Sequence, residues 1–381
     1  ESALSDLLQL YKALDQIKDD YWRDQKKKEV EKLILACSGI WFESVVRHPD
    51  YAMGDQINVD NAIIARRPGV IVQLVKLNDK EIHKNLVNNL LLKDSISVNA
   101  SISTQPYWLN EPHAKGKFNV SEFNLTGYPE NPNNPKVRFE LMINGTAITF
   151  DQHIQYKYTD PVRGEIYNPV VILPQLTAKS SSPLGLTQNA KSVKVNLAFR
   201  KNGQARSQSF RINAVGAKGW EITPASFELQ FTSGVNSLSK EITISPLNPA
   251  ISSIDTLLFQ VDQKDRLKET KTIGYNHIPE IVYFPDVAIK MSNINLITAV
   301  KKFAYLHGAG DLTPESLSAI GIKVDVLTSE QLLKSDLSGY DAVILGVRIF
   351  NVNKDIAQIQ NRLLDYVNNG GTLVEQYNVS N

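Results

Sequence analysis

The chain has 381 residues, 42% hydrophobic and 21% charged, the balance of a soluble globular protein long enough for roughly two to four domains. Lys plus Arg number 41 against 40 Asp plus Glu, a formal net charge of +1, which excludes binding of nucleic acid by bulk charge. The single cysteine, Cys37, excludes an intrachain disulfide and a cysteine-based zinc cluster, and leaves the compartment open.

The sequence begins at Glu1 rather than Met, carries no charged-then-apolar leader, and ends just after a strand-like segment. An excerpt of a longer protein is therefore expected. No apolar run reaches the roughly 18–20 residues that a membrane-spanning helix needs.

Residues 1–46 read as two helices. Leu4, Leu7, Leu8, Tyr11, Leu14 and Ile17 form one apolar stripe, and Val30, Leu33, Ile34 and Cys37 form a second. Two helices cannot bury both stripes against each other, so docking on a neighbouring domain is expected.

From about Tyr51 the period becomes two. Ile96, Val98, Ala100 and Ile102 alternate with polar residues, as do Val137, Phe139, Leu141 and Ile143. Residues 70–77 are nearly continuously apolar, which predicts a strand buried on both faces. The Pro- and Asn-rich residues 128–135 read as a loop. A second β unit follows a boundary at residues 159–169. In it Val193, Val195, Leu197 and Phe199 share one face, and Phe210, Ile212, Phe227, Leu229, Phe231, Ile242 and Ile244 continue the alternation. Around residue 295 strands begin to alternate with helices. Strands are expected at 300–307, 322–327, 341–345 and 372–377. One helix is expected from Thr313, with Thr313 as N-cap and Pro314 at its first position, and another at 356–367, ended by Gly370 and Gly371.

The resulting expectation is a mainly β, multidomain chain. It comprises an N-terminal helical segment (1–48), a first β-sandwich (49–168), a second, immunoglobulin-like sandwich (169–292) and a small α/β parallel sheet (293–381) that is cut short.

Candidate chemistry is sparse. The loop His307-Gly-Ala-Gly-Asp-Leu-Thr313 joins a strand to a helix as phosphate-binding loops do, but Thr313 stands where a dinucleotide fingerprint has its third glycine. A tight turn explains the two glycines equally well. Loops after parallel strands share one sheet edge, so His307, Gly308, Gly310 and Asp311 should converge there with Arg348, Asn351, Gln376 and Asn378. That edge is the candidate ligand site, with a domain contact as its alternative. No Gly-x-Ser-x-Gly elbow and no His-Glu-x-x-His helix occurs, and Cys37 lies on an apolar helix face. His83, His113, His153 and His277 have no metal-ligand spacing, and Lys26 to Lys28 read as a solvated face. Asn99, Asn119, Asn124 and Asn144 begin Asn-x-Ser/Thr triplets, which matter only in a eukaryotic secretory setting. Tyr107, Trp108, Tyr128, Tyr156, Tyr158 and Tyr167 are candidates for stacking on sugar rings, with core or turn packing as their ordinary role.

The segments Gly308-Ala-Gly-Asp-Leu-Thr-Pro-Glu315, Gly321-Ile-Lys-Val-Asp-Val-Leu-Thr328, Tyr340-Asp-Ala-Val-Ile-Leu-Gly-Val-Arg-Ile-Phe-Asn351 and Leu364-Asp-Tyr-Val-Asn-Asn-Gly-Gly-Thr-Leu-Val-Glu-Gln-Tyr-Asn378 resemble the C-terminal region of long bacterial LmbE-like (PIG-L) deacetylases. Asp50-Tyr-Ala-Met-Gly-Asp55 and Asp160-Pro-Val-Arg-Gly-Glu165 resemble that family's middle portion. The second β unit, with Gly219, Trp220 and Pro224, is similar to sandwich modules found beside glycosidase domains. His48-Pro49-Asp50 resembles the family's zinc motif only in part, since Tyr51 replaces the second Asp and the run follows a helix rather than a strand. The resemblance implies that a zinc-dependent N-acetyl-sugar deacetylase domain lies N-terminal to the matched region. None of that hydrolase's catalytic residues carries over, and no metal or cofactor is expected in this chain. The tail is similar to flavodoxin-like and class I amidotransferase-like folds, and the nucleophilic cysteine of the amidotransferases is missing. The implied role is a non-catalytic accessory region that helps to bind or position a glycan. Its partners would be the catalytic domain of the same polypeptide and carbohydrate, with no nucleic acid and no membrane span. Export to the periplasm or exterior is implied as well. The alternatives are purely structural or oligomerisation modules, and an independent hydrolase in the α/β domain.

Overall fold

The computed structural model describes residues 2–188, 192–203, 206–248, 250–275, 277–294 and 296–379. The chain is mainly β, with helices at its N-terminus and several separate sheets. No helix is long and apolar enough to cross a membrane.

Helices Ser2–Ala13 and Asp20–Ser38 open the chain. The Asp19 side chain accepts from the Trp22 amide and caps the second, and Gly39, at φ 64°, ends it. Ile40–Val46 is then a strand, paired antiparallel with residues 60–65. This corrects the helical reading of residues 40–48: past the glycine stop, β-branched and aromatic residues favour a pleated surface. The helices also need no foreign domain. Leu4, Leu8, Leu14, Val30 and Ile34 are buried in the same core as Ile57, Phe139 and Leu141.

That core joins two sheets. One has the order Gly164–Pro169, Gln155–Asp160, Ile40–Val46, Gln56–Ala65, Leu92–Asn99. The other has the order Lys80–Asn85, Val72–Leu77, Lys136–Ile143, Thr146–His153. Phe42 of the first stacks on Phe139 of the second, with ring centroids 4.6 Å apart. The strand expected to be buried on both faces proves one-sided. Val72, Leu74 and Leu77 are buried, while Gln73, Val75 and Lys76 are half-buried. A register shift between Leu74 and Lys76 lets both Leu74 and Leu77 point inward despite their odd spacing. Strand Leu92–Asn99 stops before Ile102, which is exposed rather than part of it.

A second core lies between two further sheets. Leu176–Ser180, Val193–Lys201, Ser237–Pro246 and Trp220–Thr223 form one. Leu184–Gln188, Ala288–Ile294, Ser253–Val261, Gln208–Gly216 and Ser226–Phe231 form the other, with Asp265–Arg266 added to Ser253–Val261. Val195, Leu197, Phe199, Ile242 and Ile244 from the first meet Phe210, Ile212, Phe231, Phe259 and Ile289 from the second. Strict alternation along Val193–Lys201 leaves Lys194, Asn196 and Arg200 on the outer face.

Near the C-terminus four parallel strands have the order Lys323–Leu327, Lys302–Leu306, Ala342–Leu345, Leu373–Glu375. Helix Ile356–Asn368 lays Ile359, Leu363 and Tyr366 against Leu306, Val343 and Leu345. Helix Thr313–Ala319 differs from the expected cap: Thr313 is already helical, and the Asp311 carboxylate accepts from its amide.

Candidate functional site

The parallel sheet places the loops after its strands at one edge, so the residues expected there do meet. Their polar atoms are turned on one another. Tyr305 donates to Asp311 Oδ2 at 2.6 Å, and the Thr313 amide donates to Asp311 Oδ1 at 2.8 Å. Burial works against the Asp311 carboxylate, but these donated bonds outweigh it and hold its pKa below the ordinary value. Burial, and then the same bond, push the Tyr305 phenol well above its ordinary value. Gln376 donates to Thr313 Oγ1 at 3.2 Å. Asn351 exchanges two bonds with the Val379 main chain, at 3.0 and 3.1 Å. Asn378 accepts from the Phe350 amide at 3.0 Å and donates to Glu375 and to the Gln376 carbonyl.

Arg348 has a left-handed backbone, φ 57°, and its amide donates to the Tyr377 carbonyl at 2.6 Å, while its side chain is exposed. His307 is also exposed and lies edge-on to Tyr305, centroids 5.3 Å apart. Gly308 packs against main chain: a Cβ there would stand 2.1 Å from the Val347 carbonyl oxygen. Gly310, at φ 105°, serves the turn itself. The edge is a set of loops fastened to one another.

An open cleft lies elsewhere, where the first two β units meet. Its volume is about 730 Å³. Strand Asp50–Ala52 runs parallel to Val171–Leu173 along its floor. Asp55 is buried and accepts from the Ala52 amide at 2.9 Å. Gly203 of the second unit rests directly on this floor, since a Cβ there would lie 2.6 Å from both Ala52 Cβ and Asp55 Oδ2. Gln175 of the second unit donates to the Met53 carbonyl of the first at 2.9 Å, and within the second unit Asn202 donates to the Pro174 carbonyl at 2.8 Å. The two units are thus tied at the base of the cleft.

One wall is a polar ladder. On strand Gln56–Ala65 the side chains of Ile57 and Val59 turn into the core, so Gln56, Asn58 and Asp60 turn outward. Each bonds its cross-strand neighbour: Gln56 donates to Asn99, Ser97 donates to Asn58 at 2.9 Å, and Ser95 donates to Asp60 at 2.8 Å. Arg47 Nε stands 3.5 Å from Asp60 Oδ2. Arg200 reaches the cleft from the outer face of the second unit. His48 sits edge-on to Tyr51, centroids 6.3 Å apart, and burial raises the Tyr51 phenol pKa. Arg47, Arg200 and Lys201 balance Asp50, Asp55 and Asp60 around the opening, which suits a neutral, polar ligand better than a polyanion.

His48 and Asp50 therefore line a cleft, and their run follows strand Ile40–Val46 rather than a helix, a correction to the sequence reading. Among the described residues no group of three or more His, Cys, Asp or Glu could hold a metal ion. Of the aromatics singled out for stacking, Tyr107 is buried and donates to the Tyr128 carbonyl at 3.2 Å, with Trp108 edge-on to it. Tyr156 and Tyr158 stack on each other, and Tyr167 donates to Glu43 at 3.1 Å. The aromatic side chain in the cleft is Tyr51. Sequence reasoning missed this cleft because the run at His48 to Asp50 was weighed only as an incomplete zinc motif, and residues 56–60 and 200–203 carry no motif. The available signal was the run of outward polar positions 56, 58 and 60 beside the apolar positions 57, 59 and 62–65 of the same strand.

No known family model and no curated protein sequence matches the chain. Among solved structures, a red sea bream transglutaminase aligns at 10% identity over 69% of this chain and 33% of its own, TM-score 0.26. The native conformation of an Escherichia coli alpha-2-macroglobulin aligns at 11% identity over 66% of this chain and 16% of its own, TM-score 0.23. A protein of unknown function from Porphyromonas gingivalis W83 aligns at 10% identity over 67% of this chain and 99% of its own, TM-score 0.17. The chain thus spans a third or less of the first two, and likenesses this weak carry no argument about function.

Proposed function

We propose that this chain is a glycan-binding accessory region that works beside a sugar N-deacetylase domain of the LmbE-like type and positions that domain's substrate. The observation that carries the reading is the charge-balanced cleft between the first two β units, walled by the Gln56, Asn58 and Asp60 ladder. Sugar hydroxyls donate and accept at once. A wall that offers amides, hydroxyls, carboxylates and guanidinium groups in one groove satisfies both demands. The half-buried Tyr51 adds a flat apolar surface of the kind that packs on a sugar ring.

The tail motifs between Gly308 and Asn378 support the deacetylase neighbour by their resemblance to that family. In this reading zinc and the hydrolytic step belong to a catalytic domain elsewhere in the same polypeptide, because the donor set around His48 and Asp50 does not suit zinc. The two β units are read as immunoglobulin-like sandwiches, the C-terminal sheet as an amidotransferase-like domain, and the setting as periplasmic or extracellular.

Calorimetric titration with N-acetylglucosamine oligomers tests the proposal. Saturable binding that is lost in Arg200→Ala and in Asp50→Ala is expected. Absence of binding to any amino sugar or polysaccharide would overturn it.

A second reading, domain packing, is favoured by one observation. Leu364, Val367, Val374 and Tyr377 are all at least 40% exposed on the C-terminal unit. A partner that covers them would make those modules structural. Sedimentation analysis decides it: a monomer whose mass does not change with concentration argues against self-association.

A further inference from the structure

A smaller cavity, of about 340 Å³, adjoins the cleft. Asp50, Leu173, Arg200 and Asn202 border both openings. Asp50 and Arg200 thus form a saddle, with the polar ladder on one side and a second lining on the other. That second lining includes Lys179, Glu269, Thr270, Thr272 and Glu280. Because the two openings share these residues beside the strand pair Asp50–Ala52 and Val171–Leu173, they are read together as one groove.

We infer that this groove takes a linear oligosaccharide that crosses the saddle and occupies both cavities, rather than a single sugar. The inference rests on the glycan-binding reading and specifies its substrate class. Three features support it. Both cavities, of about 730 and 340 Å³, lie within the roughly 300–1,000 Å³ that holds a drug-sized ligand, together more than one sugar ring requires. Both linings are rich in hydroxyl, amide and charged groups, so a chain meets polar partners along its whole length. The smaller lining sets Lys179 and Arg200 against Asp50, Glu269 and Glu280, a slight negative excess that disfavours sulfated or phosphorylated chains and accepts neutral or amine-bearing ones.

The test is a length series. Linear β-1,4-linked N-acetylglucosamine oligomers, from monosaccharide to hexasaccharide, are titrated calorimetrically into the 381-residue chain. The tetrasaccharide and longer chains should bind at least about tenfold tighter than the disaccharide. Thr272→Trp, at an exposed strand position in the smaller cavity, should bring the long chains down to the affinity of the short ones and leave the short ones unchanged. Glu280→Ala, in the same lining, should weaken the long chains only. Equal affinity at every length, or long-chain binding unaffected by both variants, overturns the extended-groove inference while glycan binding stands. No binding at any length overturns the glycan reading itself, and this inference with it.

Discussion

Gly308 and Gly346 touch through their main chains. The Gly346 amide donates to the Leu306 carbonyl at 2.8 Å, and a Cβ on Gly346 would stand 2.5 Å from the Gly308 nitrogen. A Cβ on Gly308 would meet the Val347 carbonyl oxygen at 2.1 Å. The glycine in the first strand-end loop thus answers to the neighbouring loop, and a bound phosphate is not needed to explain it. Gly308→Ala should destabilise the C-terminal unit by about 1–3 kcal/mol, through overpacking against backbone that cannot swing away. Urea unfolding followed by tryptophan-independent circular dichroism measures this. Unchanged stability in the variant would contradict the contact.

Asp311 gives a prediction about acid. Its carboxylate is held below the ordinary 3.8 in the folded chain, because the bonds from Tyr305 and Thr313 outweigh burial. A depressed native pKa adds stability above the unfolded value, and that stability is lost as pH falls through the native one. Asp311→Asn should therefore be less stable than the wild type at pH 7, with the gap narrowing at pH values below about 3.8. Denaturant midpoints at several pH values check both parts.

Glu31 should behave oppositely. Burial raises its pKa above 4.5, although Tyr11 donates to it at 3.2 Å and is itself pushed up to about 12. A raised carboxyl pKa means that the folded state holds the proton more tightly, so this stabilisation is present below about pH 4.5 and is lost as pH rises through the native value. Glu31→Gln keeps an acceptor for Tyr11 and removes the titration. The variant should lose the wild type's decline in stability above pH 4.5, as read from thermal melts across that range.

Gly203→Ala probes the floor of the cleft. The new methyl group would collide with Ala52 and Asp55, both 2.6 Å away, at a residue whose φ is +79°. The second unit must then lift from the first, and glycan affinity should fall by tenfold or more while both β cores survive. Titration together with far-ultraviolet circular dichroism separates loss of binding from loss of fold.

The regular alternation of the β strands and the strand–helix alternation after residue 295 were legible because burial on one face leaves a period in the sequence. Helix ends were less so. Ile40, Trp41 and Phe42 continue an apolar run that suits either structure, and only Gly39 marks the change. The strand-end residues were found because parallel sheets gather their loops, but their bonding partners, such as the Val379 main chain for Asn351, leave no trace in composition. The cleft was barely legible, since the outward polar positions 56, 58 and 60 mark one wall but not what faces it. Arg200 and Asp50 are far apart in sequence, and tertiary packing alone brings them to one rim.

The most direct measurement is a map of backbone amide shifts in the isotopically labelled chain as N-acetylglucosamine tetrasaccharide is added. The account predicts saturable shifts concentrated at residues 47–60 and 200–202, extending to residues 269–272. Shifts confined to residues 307–311 and 348–351, or no shifts at all, would contradict it.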